Sequence, residues 1–157
     1  MSIIKNPIQF GPLNVIGLSI RTTNENQQAT IDIPQLWNTF FMSQTLSKIS
    51  NKINDTLYCI YNNYESDYTK PYTCTLGIQV ENLFTVPEGL TSIQIPQSSY
   101  IKFNTKGDLS KQIVYNQWKN IWTTEIDRKY TFDFEIYDHQ KCKDAANAEV
   151  EIYISIK

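Results

Sequence analysis

Hydrophobic side chains recur along this chain mostly at every second position, and in two stretches at the spacing of a helix. Residues 13–22 place Ile16, Leu18 and Ile20 on one side, which predicts a strand. Ile33, Leu36, Trp37, Phe40 and Phe41 then follow at helical spacing and form one apolar face. Asp32, Pro34 and Gln35 supply a start signal: a carboxylate for the first-turn amides, a proline in the first turn and a glutamine at capping-box distance. A helix is therefore expected from Asp32, fading near residues 47–50. Residues 56–63 and 72–80 read as two further strands, the second with Tyr72, Cys74, Leu76, Ile78 and Val80 facing one way.

The order repeats after the connection Val86-Pro87-Glu88-Gly89-Leu90. A strand at 98–105 turns at Gly107-Asp108 into a helix carrying Val114, Trp118, Ile121 and Trp122. Strands at 131–138 and 150–157 follow, separated by a polar loop. The chain thus reads as β-α-β-β written twice, with module one at about 13–81 and module two at about 98–157 of a single domain, 1–157. One helix per half covers only part of a sheet face, so pairing the halves as a pseudo-symmetric α+β domain completes the core.

Composition adds one positive signal. Ten Tyr, seven Phe and three Trp in 157 residues are an unusual share; most are expected in the core, and such a surplus also suits a pocket for flat, apolar ligands. Other features exclude. A net charge of −2, with basic residues scattered, argues against a nucleic-acid surface. No apolar run is long enough to span a bilayer, and the stretch MSIIKNPIQFGPLNVIG lacks the apolar core and cleavage site of a secretory leader. Cys59, Cys74 and Cys142 are odd in number, without metal-ligand spacing, and fit free thiols in a cytoplasmic protein. His139 is the only histidine and falls in a polar loop, so no Ser-His-Asp or Cys-His set is expected. Asp127, Asp133 and Asp138 are carboxylates without a metal-binding pattern, and no phosphate-binding glycine loop occurs. No cofactor, metal or catalytic set is expected.

Several segments, in order, carry a resemblance. Residues 72–80 (YTCTLGIQV), 86–90 (VPEGL), 95–100 (IPQSSY) with 103–107, Trp118, 132–138 (FDFEIYD) and the closing 149–157 (EVEIYISIK) resemble GyrI-like effector-binding domains. Such domains also form the ligand-sensing halves of AraC- and MerR-type multidrug-responsive regulators. The resemblance runs from about Val15 onward and implies two β-α-β-β modules sharing a curved antiparallel sheet, with two main helices and a ligand held between the modules. It implies a lipophilic, cationic aromatic ligand met by an acidic residue, at the position matching Glu135. It also implies a stand-alone form of the domain, since no helix-turn-helix region is expected here.

Strand alternation places Asp133, Glu135 and Tyr137 on one face and Phe132, Phe134 and Ile136 on the other. If the phenylalanine face packs under a helix, Glu135 and Tyr137 share the opposite surface, where aromatic walls and a carboxylate suit a cation. Alternation alone favours a solvated strand residue at Glu135; the resemblance reverses that preference. Tyr137 or Tyr61 is expected to supply a hydrogen bond to Glu135, and overlaying the two halves places Cys59 across from it as a small residue leaving room for ligand. Tyr153 is a candidate wall because it alternates away from the isoleucines of the last strand. Trp37, Phe40 and Phe41 are assigned to the core. Of Trp118 and Trp122, one is expected to pack down and the other to reach the groove, with Trp118 favoured. Two other functions stay open: a small-molecule hydrolase using Glu135 as general base, and a protein-interaction module. A monomer or a homodimer fits either.

Overall fold

Alternating strands with one apolar face each need a common sheet, and they form one. The computed structural model describes residues 6–157, so the first five residues of the stretch read above for a leader lie outside the described residues. Eight strands are present: β1 Ile8–Phe10, β2 Leu13–Thr22, β3 Lys52–Asn62, β4 Tyr72–Val80, β5 Thr91–Ile95, β6 Ser98–Gly107, β7 Asp133–Tyr137 and β8 Ala148–Ser155. They join in the order β1-β6-β8-β7-β3-β4-β2-β5, every pair antiparallel. The two helices are α1 Ala29–Met42 and α2 Ile113–Thr123. Read outward from the central β3–β7 pair, the two halves mirror each other. β1 pairs with β6 and β5 with β2, so each half receives an edge strand from a segment that precedes the other half. The pattern predicted an α+β domain of two such halves with two helices, and the curved antiparallel sheet is the one the resemblance implied.

Two of the eight strands were not predicted. β1 has three residues and β5 five, and both sit at the sheet edges, where a short segment is held by one neighbour and needs little pattern of its own. The helix starts differ too. α1 begins at Ala29, three residues before the expected cap, because Asp32 is engaged elsewhere: it accepts from Thr22 Oγ1 and Gln28 Nε2, each at 2.9 Å, tying the end of β2 to the helix. Asp108 caps a short 3-10 turn through Ser110 N at 2.9 Å, and α2 opens later, at Ile113.

The sheet buries both faces. One lies under the helices, where Leu36 and Phe40 of α1 and Trp118 and Ile121 of α2 pack on Cys59, Cys74, Leu76, Ile152 and Ile154. The other gathers Tyr58, Ile60, Tyr100, Phe134 and Tyr153 with Ile93 and Ile95 of the edge strand β5. Phe41, assigned to the core from its spacing, is 52% exposed: at 100° per residue it falls at the edge of the stripe, rotated away from the buried Leu36 and Phe40. No described helix is long and apolar enough to cross a membrane.

Gly17 and Gly77 face each other across β2 and β4. A Cβ at Gly17 would lie 2.2 Å from the Leu76 carbonyl oxygen, and one at Gly77 2.6 Å from that of Ile16. Neither backbone atom can move without parting the strands. Gly17→Ala is expected to cost about 1–3 kcal/mol of stability, read from urea unfolding; an unchanged midpoint would show that the strands separate freely.

Candidate functional site

The site begins with the alternation of β7. Phe134 and Ile136 take one face of the sheet, which leaves Asp133, Glu135 and Tyr137 on the other. Pairing with β3 sets Cys59 directly opposite Glu135 and Tyr61 opposite Asp133. Cross-strand partners share a face, so Cys59 and Tyr61 lie on the Glu135 side. That side is the one the helices cover, which corrects the expectation that a helix packs on the phenylalanine face. Phe134 is covered instead by Phe10, Tyr100 and Tyr153.

Glu135 is 2% exposed, and both its oxygens are occupied. Oε2 accepts from Tyr61 OH and from Trp118 Nε1, each at 2.6 Å. Oε1 accepts from Tyr137 OH at 2.6 Å. Burial pushes the carboxyl above its ordinary range, and the donors from Tyr137, Tyr61 and Trp118 oppose that push. Burial also drives the Tyr61 and Tyr137 phenols well above theirs, so both stay protonated and keep donating. Among the described residues no cation pairs with Glu135: the ion pairs formed involve other carboxylates. The three neutral donors favour the charged form of this buried carboxylate, and no cation among the described residues adds to them.

Beside Glu135 a cavity of about 610 Å³ opens between α1, α2 and the sheet. Its walls are aromatic. Trp37 of α1 meets Tyr137 edge-on at 4.8 Å, Trp118 of α2 meets Tyr61 edge-on at 5.2 Å, and Trp122 of α2 stacks on Tyr68 of the β3–β4 loop at 5.4 Å and 7°. All three tryptophans line it. The charged side chains on the wall are Glu135 and Arg128. Arg128 is held by Asp133, whose Oδ2 accepts from Arg128 Nη2 at 2.8 Å and from Tyr64 OH at 2.6 Å. Asp133 Oδ1 accepts from Ser155 N and Oγ. Asp133 is thus part of a structural ion pair, and no group of three metal-ligating side chains converges among the described residues.

Of the residues singled out from sequence, the fold brings Glu135, Tyr137, Tyr61 and Trp118 together at one wall. Cys59 lies beneath them. It is fully buried, its thiol 3.5 Å from Tyr61 OH and 3.6 Å from the Cys74 thiol, so it supports the wall without facing the cavity. Tyr153 is on the wrong face: it pairs with Phe134 across β7 and β8 and stacks on its ring at 5.0 Å, while Ile152 is the partner of Glu135. The last strand turns its isoleucines, and not its tyrosine, toward the site. Trp37 and Trp122 were not foreseen on the wall, nor were Tyr64 and Tyr68, which the polar letters around them disguised as ordinary loop. Four tyrosines within 61–72 were the available signal.

Known proteins resemble the chain over nearly its full length. The sequence profile of Cass2, the integron-associated effector binding protein, matches residues 9–156. The protein YobU of Bacillus subtilis (strain 168), whose name assigns it provisionally to transcriptional regulation, is 32% identical over 145 residues, covering 90% of each chain. An integron cassette protein from the mobile metagenome of Vibrio cholerae superposes with a TM-score of 0.75 at 27% identity, over 97% of this chain and 95% of that one. SAV2435, solved with tetraphenylphosphonium bound, shares the fold with a TM-score of 0.77 at 16% identity, over 99% and 94% of the two chains.

Proposed function

The chain belongs to the Cass2 family of integron-associated effector-binding proteins, and on that footing we propose that it binds lipophilic aromatic cations in the cavity beside Glu135. One observation carries the reading: Glu135 is a buried carboxylate with no counter-ion among the described residues, at the wall of an aromatic cavity. A cation entering the cavity expels water, so its attraction to Glu135 acts through a poorly screening medium. The faces of Trp37, Trp118 and Trp122 add attraction of about 0.5–2 kcal/mol for each ring the charge approaches. The volume of about 610 Å³ falls in the range of drug-sized ligand sites. SAV2435 binding a tetraphenyl cation on the same fold supports the choice of ligand class. The relation to YobU supports a role in regulation, through an effector the domain senses.

A hydrolase using Glu135 as general base fits less well. Three hydrogen bonds already stabilise its carboxylate form, which weakens it as a base toward water.

The three cavity tryptophans provide the test. Titration with tetraphenylphosphonium should quench their fluorescence saturably, with a matching isotherm by calorimetry; no saturable change across a panel of lipophilic cations overturns the reading. The pH dependence has a definite sign. Burial holds the Glu135 carboxyl above the ordinary glutamate range when folded, so on acidification cation affinity should begin to fall at a higher pH than an ordinary glutamate would dictate. Stability moves the other way. Between the unfolded and the folded pKa, the folded state holds the extra proton, so Glu135 contributes a loss of stability as pH rises through that window. Affinity that stays flat down to the ordinary glutamate range would remove Glu135 from the binding equilibrium.

A further inference from the structure

The second charged group on the wall has a feature that cation binding leaves unused. Arg128 lines the cavity yet is only 8% exposed. Its Nη2 donates to Asp133, whereas Nε and Nη1 are buried without an acceptor among the described residues. Asp133 has no oxygen to spare for them, since it already accepts from Tyr64 OH and from Ser155 N and Oγ. Buried donors left unmet are costly, and those of a cation more so than neutral ones. The arrangement therefore favours any occupant of the cavity that brings an acceptor to this end.

The charges nearby decide what kind of acceptor. Asp133 neutralises Arg128, and Glu135 lies two residues along the same strand face, about 7 Å away by strand geometry. An anionic group at Arg128 would face both carboxylates at short range, whereas a carbonyl, ether or hydroxyl oxygen meets the donors without that repulsion. A second cationic centre at this end would face the guanidinium. We propose that Arg128 is a specificity-determining residue that reads a neutral hydrogen-bond acceptor, so that the cavity selects monocationic aromatic molecules carrying a carbonyl, ether or hydroxyl group at the end remote from the charge. The Tyr130 ring covers the guanidinium at 4.2 Å and is itself half-exposed, at a backbone φ of 57° that a bulky residue holds only under strain.

This inference rests on the cation reading of the cavity, and the experiment separates the two. The probes are tetraphenylphosphonium, its derivative with one para-acetyl group, and the para-isopropyl derivative of nearly the same shape, each titrated by calorimetry. The acetyl compound should bind the wild-type protein about tenfold more tightly than the isopropyl compound. Arg128→Lys keeps a cation for Asp133 but has no guanidinium donors to spare, and should bring the two within about twofold of each other, read as the ratio of the two affinities in the same protein. If Arg128→Lys does not fold, the wild-type comparison decides alone. Equal binding of the acetyl and isopropyl compounds to wild type, or a preference that survives in Arg128→Lys, overturns the acceptor site and leaves the cation reading standing. Failure of all three cations to bind overturns both.

Discussion

Glu135→Gln is expected to weaken tetraphenylphosphonium binding by about 100-fold while changing the affinity of a neutral relative, triphenylmethanol, by no more than about threefold. The substitution removes a charge and almost no volume. A carboxylate about 6 Å from the ligand charge, at an effective dielectric constant of about 20, contributes roughly 2–3 kcal/mol, which is about two decades in affinity. The amide fits the same hydrogen bonds. Its oxygen can take the place of Oε2, accepting from Tyr61 OH and Trp118 Nε1, and its NH₂ can donate to the Tyr137 hydroxyl, which turns from donor to acceptor. The variant should therefore stay folded with its cavity intact, so that the comparison isolates charge. Calorimetric titration of both compounds against both proteins is the measurement. Equal losses for cation and neutral compound would mean that Glu135 shapes the cavity without selecting charge.

The largest effect on stability is expected at Asp133. It is fully buried and holds Arg128, Tyr64 and the backbone and side chain of Ser155, thereby fastening the connection that precedes β7 and the end of β8. Asp133→Asn leaves Arg128 buried without its counter-ion. Removing one partner of such a pair costs about 3–5 kcal/mol, far more than the pair contributes over an apolar substitute, because the penalty is that of the orphaned charge. For a domain of this size the melting temperature should fall by roughly 6–20 °C. Pairing Asp133→Leu with Arg128→Met should recover much of that loss, since no charge is then stranded. Scanning calorimetry of the single and double variants checks this; a single variant within about 1 kcal/mol of wild type would show that water reaches Arg128 freely.

The two substitutions also divide the acidic pair of β7 by role. Glu135 and Asp133 stand two residues apart on one face, both buried, both bound by tyrosine hydroxyls. What distinguishes them is Arg128, which comes from outside any strand or helix and neutralises one of them. Nothing in the spacing of the letters marks which carboxylate that would be.

Local periodicity determined a good deal. The strands at 13–22 and 72–80 run as their alternation predicts, because each has one face that must leave water and a register slip of one residue would expose it. The same alternation placed Glu135 with Tyr137, and Cys59 with Tyr61, since side chains two apart on a strand share a face whatever surrounds them. Periodicity could not say which face the helices would cover. β7 and the second half of β8 are buried on both sides, so only the pairing of Glu135 with Ile152, and of Phe134 with Tyr153, decided that Tyr153 leaves the site and the isoleucines join it. Nor could it separate core from wall within one helical stripe: Phe40 is buried and Trp37 borders the cavity because the two helices stand apart over the sheet there. Arg128, Tyr64 and Tyr68 lie in connections, where no repeat constrains direction. Their place at the cavity follows from where the paired strands carry the chain, and that is a property of long-range contacts that no local pattern contains.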